Sequence, residues 1–260
     1  MSDSSTNECR VIVLGASNVA RSITTVFQYA RQFGDSGVDF YAAMGHGRSY
    51  GQSSRALGRR LPGILQSDLW QRLKASPSHP TYSLITDVGN DLVYGASSSQ
   101  LLTWVDECCD HLEANSTKIA ITGLPLTGLK KLSPIAFAIM RTILFPKSKL
   151  QRPELFESAM EVDAGLRQIA QSRGAAFIEP DPDWYGLDPI HIKFSQMRSA
   201  WGKIFSQFGP TTESNKVAYS PLLGLRLRTL VPNQRFLFGF EQNRSQPAWT
   251  AKNQDRVFYF

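Results

Sequence analysis

Short unalternating runs of aliphatic residues recur along this chain with helix-periodic stretches between them, and that order leaves few folds open. Residues 11–14 read Val-Ile-Val-Leu with no polar alternation, the pattern of a strand buried on both faces. Gly15 ends the run, residues 18–33 carry helical spacing, and Gly34 is the expected stop. Residues 38–44 form the next strand pattern, followed by Gly45-His46-Gly47; residues 53–73 have helical spacing broken near Pro62-Gly63. A third strand is expected at 82–86, a helix at 98–114, and a fourth strand at 118–124, stopped by Pro125. A long helix at 153–173 has Pro in its first turn and Gly174 as its stop, and a short fifth strand follows at 176–178. Strands alternating with helices imply a parallel sheet covered on both faces. The expected fold class is therefore α/β, a three-layer α/β/α arrangement with a five-stranded parallel sheet. In such sheets ligands bind outside the carboxyl ends of the strands, so the residues just after each strand matter most.

Composition removes other classes. With 42% hydrophobic and 19% charged residues among 260, the chain is too apolar for disorder. Its three cysteines, Cys9, Cys108 and Cys109, make neither a disulfide framework nor a metal-ligand spacing, so no metal and no cofactor are expected. The first ten residues lack a basic start followed by an apolar run. The apolar-rich stretch 134–146 is interrupted by Arg141 and is far short of the ~20 residues of a spanning helix. The expectation is a cytoplasmic protein with reduced thiols and no transmembrane segment. Residues 1–208 are expected to form the α/β domain, with 126–150 an insertion that is a lid candidate or an extra packing helix. Residues 209–260 form a C-terminal extension with short alternating runs at 223–230, 236–240 and 257–260, expected to be β-rich, as a hairpin or a surface wrap.

The net charge of +6 is unevenly spread. Residues 1–191 hold 18 Lys+Arg and 19 Asp+Glu; residues 192–260 hold 10 and 3. The tail's positive residues are spaced among Leu, Phe and Gln, which favours a folded appendage over a nucleic-acid arm, so no nucleic-acid partner is expected.

Four strand ends carry chemically useful residues. After the first come Gly15-Ala16-Ser17-Asn18; a Ser on a strand-to-helix turn is well placed as a nucleophile, and equally as a helix cap. After the second comes 45–49, Gly-His-Gly-Arg-Ser, where glycines let a backbone donate N–H groups to a ligand, or simply turn. After the third comes 87–91, Asp-Val-Gly-Asn-Asp; an Asn amide here can donate to a developing oxyanion, or cap a turn. After the fifth comes 184–191, Trp-Tyr-Gly-Leu-Asp-Pro-Ile-His, where Asp188 can orient His191 three residues on.

In this order, Ser17, Gly47 (or Gly45), Asn90 and Asp188-x-x-His191 resemble the blocks of the SGNH hydrolases, the GDSL superfamily, over residues 10–208. Ala16 replaces the Asp of Gly-Asp-Ser, and Val88-Gly89-Asn90-Asp91 stands where Gly-x-Asn-Asp is usual, so the resemblance is to a divergent branch. Gly34-Asp35-Ser36 spells the family signature but follows a helix, so Ser36 belongs to a loop. The resemblance implies a small-molecule ester substrate, with a small or carbohydrate-linked acyl group. It further implies a Ser17–His191–Asp188 triad and an oxyanion hole of the Ser17 and Gly47 N–H groups with the Asn90 amide. Arg48, Trp184 and Tyr185 are candidate substrate-wall residues. Two other readings stay open: a Rossmann-type nucleotide-binding enzyme, which lacks the later glycines of its fingerprint, and a non-catalytic binding protein on the same fold.

Overall fold

The computed structural model describes residues 9–56, 58–132, 134, 151–210 and 220–260. In chain order the strands are β1 (Cys9–Leu14), β2 (Val38–Ala43), β3 (Ser54–Ala56), β4 (Arg59–Leu61), β5 (Thr81–Ile85) and β6 (Lys118–Thr122). They continue with β7 (Ala176–Ile178), β8 (Gln234–Leu237), β9 (Phe240–Asn243), β10 (Trp249–Thr250) and β11 (Arg256–Tyr259). The five expected strands lie side by side as β2-β1-β5-β6-β7, all parallel. The sheet has seven strands rather than five, because the tail returns to pair β11 in parallel with β2 and β10 antiparallel with β11.

The unalternating strand pattern has its cause in the two layers of helices. Along β1, Val11 and Val13 enter one core with the helices Ile23–Ala30 and Met197–Phe205. Ile12 and Leu14 enter the other, with the helices Ser98–Glu113 and Arg152–Ser172. Each residue of the strand is therefore buried whichever way it points. Within the insertion, Leu126–Lys131 is a helix; the rest of the lid candidate lies outside the described residues apart from 132 and 134.

Two local expectations are corrected. Residues 53–73 are helical only at Leu69–Lys74; before that, β3 and β4 form a hairpin turning at Gly58, whose φ of 72° is in the left-handed region. That hairpin is completed by β8 and β9 of the tail, a partner that local periodicity does not reveal. Residues 223–230 are mostly helix, Pro221–Arg228, not strand. Pro221 suits the first helical turn, the Ser220 hydroxyl accepts from the Leu223 N–H, and Leu223 and Leu227 fall on one helical face against the core. Among the described residues no helix is long and apolar enough to cross a membrane.

Candidate active site

The first strand end is shaped by a residue from the third. Asp87 follows β5 in a left-handed conformation (φ 57°), tolerated by Asp better than by most residues. That turn aims its carboxylate at the β1 turn, where it accepts the N–H groups of Ala16 (2.9 Å), Asn18 (2.9 Å) and Val19 (3.3 Å). The intervening Ser17 N–H has no acceptor among the described residues. The Asn18 side chain donates to Asp87 (2.7 Å) and to the Ile190 carbonyl (3.0 Å), and its oxygen accepts the Ile192 N–H (2.8 Å). Asn18 thus ties the Ser17 turn to the loop carrying His191. Sequence reasoning assigned no role to Asn18 or Asp87. The available signal was two side chains, each able to make several hydrogen bonds, beside turns that had to meet.

That tie brings three predicted site residues together. His191 Nε2 lies 2.9 Å from Ser17 Oγ, and His191 Nδ1 lies 2.6 Å from Asp188 Oδ2. The other Asp188 oxygen accepts the backbone N–H groups of Ile190 and His191, both at 3.2 Å, so the loop fixes the carboxylate. Partial burial pushes the Asp188 carboxyl up. The hydrogen bond and charge of His191, with the two amides, outweigh it and hold the group below its ordinary value. Asp188 is therefore an anion at neutral pH. It favours a proton on Nδ1 and leaves Nε2 free to accept one from Ser17.

The second and third strand ends are joined similarly. Asp91 is fully buried, accepting the Ser49 hydroxyl and the Tyr50 N–H (3.1 Å), which pins the 45–50 loop to the Asn90 turn. Burial, the largest influence, raises the Asp91 carboxyl above its usual value despite these bonds. Asn90 donates to the Arg48 carbonyl (3.1 Å) through one of its two amide hydrogens. The Tyr94 hydroxyl donates to the Gly47 carbonyl (2.8 Å). Gly47 has φ 66°, and a Cβ there would stand 2.7 Å from the Tyr94 oxygen, so only glycine fits. Gly45, the alternative, lies where a Cβ would meet Leu61 at 2.6 Å.

Ser17 and Asn90 open on one cavity of about 100 Å³. Its wall is mainly apolar, with Val88, Leu124, Leu129 and Leu155 from one core and Trp184 and Tyr185 from the other. Burial, and then Asp87, push the Tyr185 hydroxyl up, so it stays protonated. Arg48 does not reach this wall. It is fully buried, donating to the carbonyls of Met44 (3.4 Å) and Phe260 (2.9 Å), and burial lowers it to about 10. The returning tail supplies that carbonyl, which the local sequence around Arg48 does not announce. Ser36 precedes β2, whereas Ser17 follows β1; the strands are parallel, so the two serines lie at opposite ends of the sheet.

Neither a family model nor a curated protein sequence matches this chain. Its fold, the three-layer α/β/α arrangement, does match solved structures. The carbohydrate acetylesterase Est24 from Sinorhizobium meliloti is similar at TM-score 0.54 and 12% identity, covering 76% of this chain and 98% of that one. An aryl esterase from M. smegmatis, solved in inhibitor-bound form, is similar at TM-score 0.52 and 11% identity, covering 77% and 98%.

Proposed function

We propose that this protein is a serine hydrolase of ester bonds, acting through a covalent acyl–Ser17 intermediate. The observation carrying this reading is the continuous hydrogen-bonded chain from Asp188 through His191 to the Ser17 hydroxyl. His191 takes the Ser17 proton as Oγ attacks the ester carbonyl, and passes it to the leaving alcohol as the tetrahedral intermediate collapses. A water, deprotonated by the same imidazole, then releases the acid. Asp188 holds the imidazole in the productive tautomer and stabilises its protonated form.

Negative charge developing on the carbonyl oxygen needs donors that are not already committed. The free Ser17 N–H, the second Asn90 amide hydrogen and the Gly47 N–H, which has no acceptor among the described residues, supply this reading's oxyanion hole. The cavity beside Ser17 is smaller than the ~150 Å³ apolar cavity that holds benzene, which supports a short acyl group. An acetyl or similarly short ester accords with the name of one structural neighbour, a carbohydrate acetylesterase.

A series of p-nitrophenyl esters from two to twelve carbons tests this. Turnover is expected to peak at the shortest chains and to fall by roughly 10³-fold or more in Ser17→Ala. Unchanged turnover in Ser17→Ala would refute the assignment.

A further inference from the structure

A second cavity, of about 450 Å³, is lined by His46, the neighbour of Gly47 in sequence, and by Arg21, one helical turn after Ser17, and its charge is one-sided. Arg21 comes from the helix that begins at Ser17, Arg59 from β4, Arg228 from the end of the tail helix, and Arg235 from β8. None of the four makes an ion pair among the described residues. Arg21 lies over the Phe194 ring at 5.1 Å, and Arg235 Nε donates to Gln242 (2.7 Å), which orients the guanidinium without neutralising it. By contrast Arg256, elsewhere in the tail, is paired in two-pronged fashion with Asp39 at 2.6 and 2.8 Å. The carboxylate whose charge reaches His46, that of Asp87, already accepts four hydrogen bonds from the Ser17 turn.

His46 connects this cavity to the reaction centre. Burial depresses its imidazole first, followed by the like charges of Arg59, His191 and Arg21, with Asp87 opposing. It therefore lies within electrostatic reach both of His191 and of two of the arginines. Four arginines converging unpaired on one concavity repel one another, and an anion relieves that repulsion. Guanidinium groups match carboxylate and phosphate oxygens particularly well.

We propose that this cavity is a subsite for an anionic group, carboxylate or phosphate, on the alcohol side of the ester cleaved at Ser17. This rests on the esterase reading above. The acyl group occupies the apolar cavity and the anionic leaving alcohol the basic one, with Ser17 between them. The tail thereby contributes to substrate binding, since Arg228 and Arg235, both beyond the strand-end loops, complete the subsite that Arg21 and Arg59 begin.

The test compares two phenyl acetates of similar size, 4-acetoxybenzoate and its neutral methyl ester. The wild-type kcat/KM is expected to favour the anionic ester by about tenfold at low ionic strength, with the preference shrinking as salt is added. In the double variant Arg59→Gln/Arg228→Gln, the ratio of the two values should fall to near one, a readout independent of any general change in activity. A wild-type ratio near one, or a ratio unaltered in the variant, overturns the proposal while leaving the esterase reading intact. If neither ester is cleaved, calorimetric titration with inorganic pyrophosphate decides. Binding to the wild type that is lost in the double variant supports the anion site, and absence of binding to both refutes it.

Discussion

The strand-end loops and the C-terminal tail reach the same neighbourhood by opposite means. In the loops, buried and half-buried polar groups do the positioning: Asp87 and Asn18 knit the Ser17 turn to the His191 loop, and Asp91 knits the 45–50 loop to Asn90. In the tail, aromatic burial and strand pairing do it. Phe258 stacks on Tyr41 with ring centroids 4.2 Å apart, and Phe260 lies in the same core. Polar contacts at this edge are secondary: Asp255 pairs with Arg31 at 2.7 Å and accepts the Val38 N–H. A short sequence motif can thus mark a candidate site while the support of that site comes from far along the chain. The Arg48 guanidinium, a few residues from the reaction centre in sequence, finds its acceptor at Phe260.

If that division holds, activity and stability separate under mutation. Asn90→Ala removes a donor from the proposed oxyanion hole and should lower kcat by ~10²–10³-fold. The melting temperature should move little, because the half-buried Asn90 side chain makes one hydrogen bond, to Arg48. A stopped-flow assay beside a thermal melt reads both; a melt that falls as steeply as kcat would erase the distinction. Phe258→Ala is the opposite case. Truncating a fully buried ring that stacks on Tyr41 should cost ~3–5 kcal/mol of folding free energy in urea denaturation. The surviving folded fraction should keep its preference among acyl chain lengths, since that cavity is lined from elsewhere.

The parallel core and the principal candidate site residues were legible because each is a local signal. The unalternating run at 11–14 records burial on both faces, and Asp188-x-x-His191 records a bond that three residues can close by themselves. Long-range pairing was not legible. The segment 53–73 looked helical because β8, the strand that its hairpin joins, lies more than 170 residues away. The alternation at 223–230 looked like a strand because Leu225, exposed on the helix, completes an every-second-residue pattern with Leu223 and Leu227 that the Ser220 cap and Pro221 outweigh. Arg48 looked like a substrate-wall residue because nothing beside it indicated a carbonyl arriving from residue 260. The excess of positive charge was visible as a number, but its partition needed the fold: Arg256 settles against Asp39, while Arg228 and Arg235 line one cavity with Arg21 and Arg59.

In the proposed reaction Ser17 is a nucleophile activated by His191. A fluorophosphonate probe, followed by digestion and mass spectrometry of the labelled peptide, measures this without knowledge of the natural ester. One phosphonyl group per chain is expected, on Ser17, with labelling abolished in Ser17→Ala and strongly slowed in His191→Ala. An unlabelled wild-type chain, or a label that persists in Ser17→Ala, would contradict it.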